Sequence, residues 1–104
     1  MGLIGLNILV IGGGIGGLAA ARALALRGAA VTLLEQAEAI AEVGAGLQIS
    51  PNGFAVLDAL GLGDDLAARS VRAEAISLRD YRRGEVLRFD LGLLENRHYH
   101  FVHR

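Results

Sequence analysis

At 104 residues, with 53% hydrophobic side chains and one proline, the chain is a single small apolar domain or part of one. Ten basic and eleven acidic residues give a net charge of −1 without long runs, so the chain carries no electrostatic footprint for nucleic acid or an acidic membrane. Cysteine is absent, which excludes disulfides and thiol chemistry and agrees with a cytoplasmic setting.

The N-terminal stretch is uncharged as far as Arg22, which removes the basic n-region a signal peptide needs. It is long enough to span a bilayer but is broken by glycines in a turn pattern, so no membrane span is expected. Met1-Gly2 begins like a myristoylation site, yet Leu6 stands where Ser or Thr belongs. Asn7-Ile8-Leu9-Val10-Ile11 reads as a buried parallel strand and runs into Gly12-Gly13-Gly14-Ile15-Gly16-Gly17. A helix rich in Ala and Leu is predicted from Ile15 to Arg27, stopped by Gly28. Ala30-Val31-Thr32-Leu33-Leu34 is the second buried strand, and Glu35 follows it, eighteen positions past Gly17.

Each of these residues has a task in a dinucleotide-binding βαβ unit. Gly12 lets the chain turn out of the strand, Gly14 clears the approach of a pyrophosphate, and Gly17 lets the helix lie close to the sheet. A Cβ at any of the three is expected to collide. The helix start at Ile15 and Gly16 offers unpaired amides and the positive end of the helix dipole to the phosphates. Glu35 then accepts hydrogen bonds from the adenosine ribose. The spacing therefore predicts an adenine dinucleotide without specifying which one. A parallel sheet needs cover on both faces, and only one crossover helix is evident, so the domain reads as incomplete.

Beyond Glu35, the segment from Gln36 to Glu42 is short, polar and alanine-rich, and Val43 to Gly53 forms a second glycine-containing segment. Gly44 and Gly46, separated by Ala45, let backbone pass close to a flat ligand. Pro51 opens the next helix, with Ser50 placed to cap it, and Phe54, Leu57, Leu60 and Leu62 recur at helical spacing as core contacts. Gly61 and Gly63 end that run before a short helix around Asp64 to Ala68. Ala75 to Tyr81 and Val86 to Leu91 alternate as half-buried strands of an antiparallel hairpin, with Gly84 supplying the turn. Arg79, Arg82, Arg83 and Arg88 lie among acids and read as a solvated face. His98, His100 and His103 have no convincing partners for a metal, and Ser50, Ser70 and Ser77 lack a nucleophile context, so neither a metal site nor a catalytic residue is assigned.

Three segments and the chain end together resemble the N-terminal part of FAD-dependent aromatic hydroxylases of the salicylate hydroxylase type. They are Val10 to Leu18, Leu33-Leu34-Glu35-Gln36-Ala37, Glu42-Val43-Gly44-Ala45-Gly46-Leu47-Gln48-Ile49-Ser50-Pro51-Asn52, and His103-Arg104. The third segment discriminates, because the first motif is common to many NAD and FAD proteins. The resemblance implies FAD, held at its pyrophosphate by Gly12, Gly14, Ile15, Gly16 and Gly17 and at its ribose by Glu35, with Gln36 beside it. It further implies that Ala45, Gly46 and Gln48 run near the flavin and that Arg104 is directed at the cofactor. In that family NAD(P)H reduces the flavin and dioxygen then hydroxylates a small aromatic substrate. The family continues well beyond Arg104, so the chain is expected to be an N-terminal portion of such a monooxygenase, inactive alone and with apolar sheet surface left open. The fold implied is α/β: a Rossmann-like FAD-binding βαβ unit at 6–35, a glycine segment with short helices at 43–68, and an antiparallel β-hairpin at 75–91. The other readings are a different FAD or NAD oxidoreductase of amine oxidase or reductase type, and a non-catalytic remnant.

Overall fold

The computed structural model describes residues 2–41, 44, 46–94 and 98–103 and divides into two compact units, Met1–Val43 and Gly44–Arg104. In the first unit β1 (Asn7–Ile11) and β2 (Ala30–Leu34) pair in parallel, Asn7 opposite Ala30 and Ile11 opposite Leu34, and α1 (Ile15–Leu26) makes the crossover. The ladder extends one step beyond β1, where the Gly12 N–H donates to the Leu34 carbonyl at 2.7 Å. Helix α1 forms because its Ala and Leu residues lose little rotamer freedom in a helix. It ends because Gly28 adopts φ +98°: the Gly28 N–H donates to the Ala25 carbonyl and the Ala29 N–H to that of Leu24. That pair of bonds is a Schellman cap.

Burial alternates along both strands, so Ile8, Val10, Val31 and Leu33 are half-buried while Leu9, Ile11 and Leu34 lie open. The sequence reading expected strands buried on both faces. A single helix covers only one face of a two-stranded sheet, and the other stays exposed.

In the second unit β3 (Gly46–Ile49), β4 (Ser70–Arg72) and β7 (His100–His103) form an antiparallel sheet with β7 in the middle. Two helices, α2 (Pro51–Ala59) and α3 (Gly63–Arg69), lie between β3 and β4 in the chain. Pro51 starts α2, where a missing N–H costs nothing. Ser50 does not cap it as expected: its hydroxyl bonds instead to the Asn52 side chain. The predicted stripe is the less exposed side of the segment, with Leu60 buried and Phe54, Leu57 and Leu62 half-buried.

The hairpin consists of β5 (Ala75–Asp80) and β6 (Gly84–Asp90), with a bulge that shifts the pairing from Leu78 opposite Leu87 to Arg79 opposite Glu85. Asp80 closes the turn by accepting from the Arg82 and Arg83 N–H groups at 2.8 and 2.9 Å, and Gly84 takes φ +79°. Arg88 pairs with Glu85 at 3.8 Å on the solvated side. The strands are not half-buried as expected. Ile76 pairs with Phe89 and Leu78 with Leu87 on one face, and all four are 43–52% exposed. Among the described residues, burial of apolar side chains is confined to Ala29, Leu60 and Leu91. An open apolar face of this kind binds hydrophobic dyes. The isolated chain is expected to enhance ANS fluorescence, and Leu78→Thr with Leu87→Thr is expected to lower that signal while far-UV dichroism keeps its strand content. An unchanged signal would mean the face is covered in solution.

His100 ties the second unit together. Its Nδ1 lies 2.9 Å from the Ser70 hydroxyl on β4, and its ring stacks on Phe54 of α2 with centroids 4.8 Å apart. Burial, then the nearby His98, then Arg72 opposite it in the β4–β7 ladder hold its pKa below the ordinary 6.5. The unfolded chain therefore takes up the proton more readily. The His100 contribution to this unit's stability is fully present above pH 6.5 and is lost as pH falls through the lower folded value. A melting series from pH 8 to about 5 should follow that slope, and His100→Gln should flatten it. A slope unchanged by the substitution would place the titrating group elsewhere.

Among the described residues no helix is long and apolar enough to cross a membrane.

Candidate functional site

The carboxyl ends of β1 and β2 meet at a concavity lined by Ile11, Gly12, Leu34, Glu35 and Gln36. Ligands of parallel α/β sheets settle at this end of the strands, beside a helix N-terminus. Gly12 leaves β1 at φ +106°, a left-handed conformation that glycine adopts without strain. Gly14 then forms the N-cap of α1 with extended backbone, and no side chain caps the first turn. The amides of Ile15 and Gly16 therefore belong to a helix end that an anion can satisfy.

The three motif glycines have different physical reasons to be glycine. A Cβ on Gly17 would stand 1.9 Å from the Gly12 carbonyl oxygen, so close packing of helix and turn forbids it. Cβ atoms on Gly12 or Gly14 would meet no protein atom within 4 Å, which corrects the expected collision at Gly12; at Gly14 the expected collision is with the pyrophosphate. At Gly12 the positive φ is the constraint. At Gly14 the protein itself imposes none, and the space beside the uncapped helix end is open.

Glu35 is half-buried at the mouth of this turn. Its Oε2 accepts from the Gly13 N–H at 2.6 Å and its Oε1 from the Ala37 N–H at 3.2 Å. The Ala37 and Gly13 amides, with a smaller part from Gln36, hold the carboxyl below the ordinary 4.5 against the opposing effect of burial. The group is therefore anionic at neutral pH. Its stabilising bonds are fully present above pH 4.5 and are lost only as pH falls through the lower folded value. The structure thus brings Gly12, Gly14, Ile15, Gly16, Gly17, Glu35 and Gln36 together. Gly13, quoted in the glycine motif but given no part by the sequence, joins them because of a side chain 22 residues away.

Gly46 and Gln48 sit in the second unit, on the exposed side of β3, opposite His103 and Phe101 of β7. Ala45 and Arg104 lie outside the described residues.

A parallel strand pair, a glycine turn with an open approach and an anchored acid at its mouth define a dinucleotide-binding unit of the Rossmann class. The family model described as "FAD binding domain" matches residues 6–102. The chain belongs to this family, and FAD is the dinucleotide it takes. It is 49% identical to 3-hydroxybenzoate 6-hydroxylase of Polaromonas naphthalenivorans (strain CJ2), the match covering 79% of this chain and 20% of that protein. It is 42% identical to 3-amino-4-hydroxybenzoate 2-monooxygenase of Streptomyces cremeus, covering 95% and 26%. Among solved structures, the tetrameric form of 2-methyl-3-hydroxypyridine-5-carboxylic acid oxygenase superposes with a TM-score of 0.85 at 27% identity, covering 98% of this chain and 26% of that one. HpxO of Klebsiella pneumoniae, complexed with FAD and uric acid, gives a TM-score of 0.77 at 31% identity, covering 95% and 26%. The chain therefore spans about a fifth to a quarter of the length of these relatives.

Proposed function

We propose that this chain supplies the FAD-binding part of an NAD(P)H-dependent flavin monooxygenase that hydroxylates a small aromatic substrate in the cytoplasm. Two relatives named for acting on hydroxybenzoates support a phenolic carboxylate as the substrate class. Lack of cysteine supports the compartment. Bound FAD supplies the redox chemistry, drawing reducing equivalents from NAD(P)H and delivering oxygen from O2 to the ring.

The chain's own residues bind and orient. Gly12 turns the backbone, Gly14 and Gly17 keep the pyrophosphate path clear and the helix close, and the Ile15 and Gly16 amides donate to the phosphates. Glu35 accepts from the ribose hydroxyls, with Gln36 beside it. On the flavin side, Ala45, Gly46, Gln48 and Arg104 are assigned to the cofactor by the family resemblance. No residue of this chain is given a catalytic part, and the chain alone is not proposed to turn over.

The observation that carries this reading is the open space at Gly14 beside an uncapped helix end. Its test is Gly14→Ala. Alanine is a poorer N-cap than glycine, so melting should fall by only a few degrees. FAD affinity should fall about tenfold or more, because the added methyl stands in the phosphate path. Equal affinity in the two proteins would remove the pyrophosphate assignment. For the enzyme carrying this chain, hydroxybenzoate-dependent NAD(P)H oxidation with one hydroxylated product per reductant is expected. Amine oxidation without an external reductant would favour the amine oxidase reading.

A further inference from the structure

We propose that Gly13 is a positioning residue for the sugar end of the dinucleotide: its backbone N–H fixes the Glu35 carboxylate in the orientation that receives the ribose hydroxyls. The inference rests on the ribose reading of Glu35.

The geometry divides the carboxylate between two donors. Oε2 is held at 2.6 Å by a part-buried bond from the turn, and Oε1 at 3.2 Å by an exposed bond from the chain that follows β2. Each oxygen retains a further lone pair, so the anchored group can still accept from a diol. A glutamate side chain free to sample its rotamers must be ordered when the sugar arrives, and a preformed bond removes part of that cost. Gly13 also stands between Gly12 and Gly14, so the same bond ties the sugar acceptor to the backbone that meets the phosphates.

Its missing side chain has a secondary part. A Cβ at position 13 would lie 2.8 Å from Glu35 Oε2, 3.2 Å from Glu35 Cβ and 3.3 Å from Leu33 Cδ2. The closest of these atoms is the far end of a flexible side chain. That oxygen is also the atom the Gly13 N–H holds, so an added methyl group would push aside the carboxylate that the bond positions.

Two measurements on the full chain test this. In 15N–1H spectra the Gly13 amide proton should shift as Glu35 titrates, and Glu35→Gln should abolish that shift. In FAD fluorescence titrations Gly13→Pro, which lacks the donor, should bind about fivefold or more weakly than the parent, and Gly13→Ala, which keeps the donor but crowds Glu35 Oε2, should fall between the two. Gly13→Pro should also move the acid loss of binding to higher pH, because the carboxyl loses one of the amides that hold its pKa down. Parental affinity and an unmoved acid limb in Gly13→Pro, with Glu35→Ala weakened, overturns the proposal and leaves the ribose reading standing. Parental affinity in Glu35→Ala removes the ribose reading and the proposal with it. Should Gly13→Pro fail to fold, a Gly13 amide that ignores Glu35 titration overturns the proposal by itself.

Discussion

Gly17→Ala is expected to destabilise the chain by about 1–3 kcal/mol, the range for an added methyl in a packed interior. The new Cβ would stand 1.9 Å from the Gly12 carbonyl oxygen and 3.0 Å from the Gly12 carbonyl carbon, both backbone atoms of a turn already at φ +106°. Neither can swing aside as a side chain can, so α1 must move off β1 or the turn must open. Alanine's better helix propensity offsets up to about 1 kcal/mol of this. Gly16→Ala is the matched control. Its Cβ meets nothing within 4 Å, so there the propensity gain stands alone and melting should rise slightly. Thermal melting of the two proteins should therefore move in opposite directions, by several degrees for Gly17→Ala. Movement in the same direction would mean that helix and turn do not pack as closely as the structure has them.

Glu35→Ala should weaken FAD binding by about ten- to a hundredfold, the range for losing hydrogen bonds to an ionised acceptor. Glu35→Gln should fall between, since the amide keeps one acceptor oxygen but loses the charge. Because the Ala37 and Gly13 amides keep the parent carboxyl ionised well into the acid range, the difference between parent and Glu35→Gln should persist at pH 5 and close only at lower pH. Fluorescence titrations at several pH values give both numbers. Indistinguishable parent and alanine curves would detach Glu35 from the ligand.

The first unit was legible almost to the residue. Asn7–Ile11 and Ala30–Leu34 declare themselves because everything that specifies them is local: apolar runs, a glycine turn, an Ala- and Leu-rich helix and a glycine stop. The three-stranded sheet of the second unit was not. Strand β7 pairs with β4 and β3, so Ser70 meets Val102 and Gly46 meets His103, and no local pattern carries such distant pairings. β4 spans only Ser70–Arg72, too short to show a period. His100 was misleading in a different way. A polar letter in the sequence, it is drawn against Phe54 and Ser70, which only the fold brings to it. At the site, Glu35 was found by its distance from the turn. Gly13 was passed over because the motif leaves its position open, and its constraint comes from a side chain just past the end of β2.

The central claim is that the β1–α1 turn takes a diphosphate while Glu35 takes the sugar next to it. A crystal structure of the full chain with FAD tests it most directly. The account predicts pyrophosphate oxygens within hydrogen-bonding distance of the Ile15 and Gly16 amides, the open side of Gly14 filled, and both adenosine ribose hydroxyls on Glu35 with its Gly13 bond intact. A cofactor bound away from this turn, or a ribose that leaves Glu35 untouched, would contradict it.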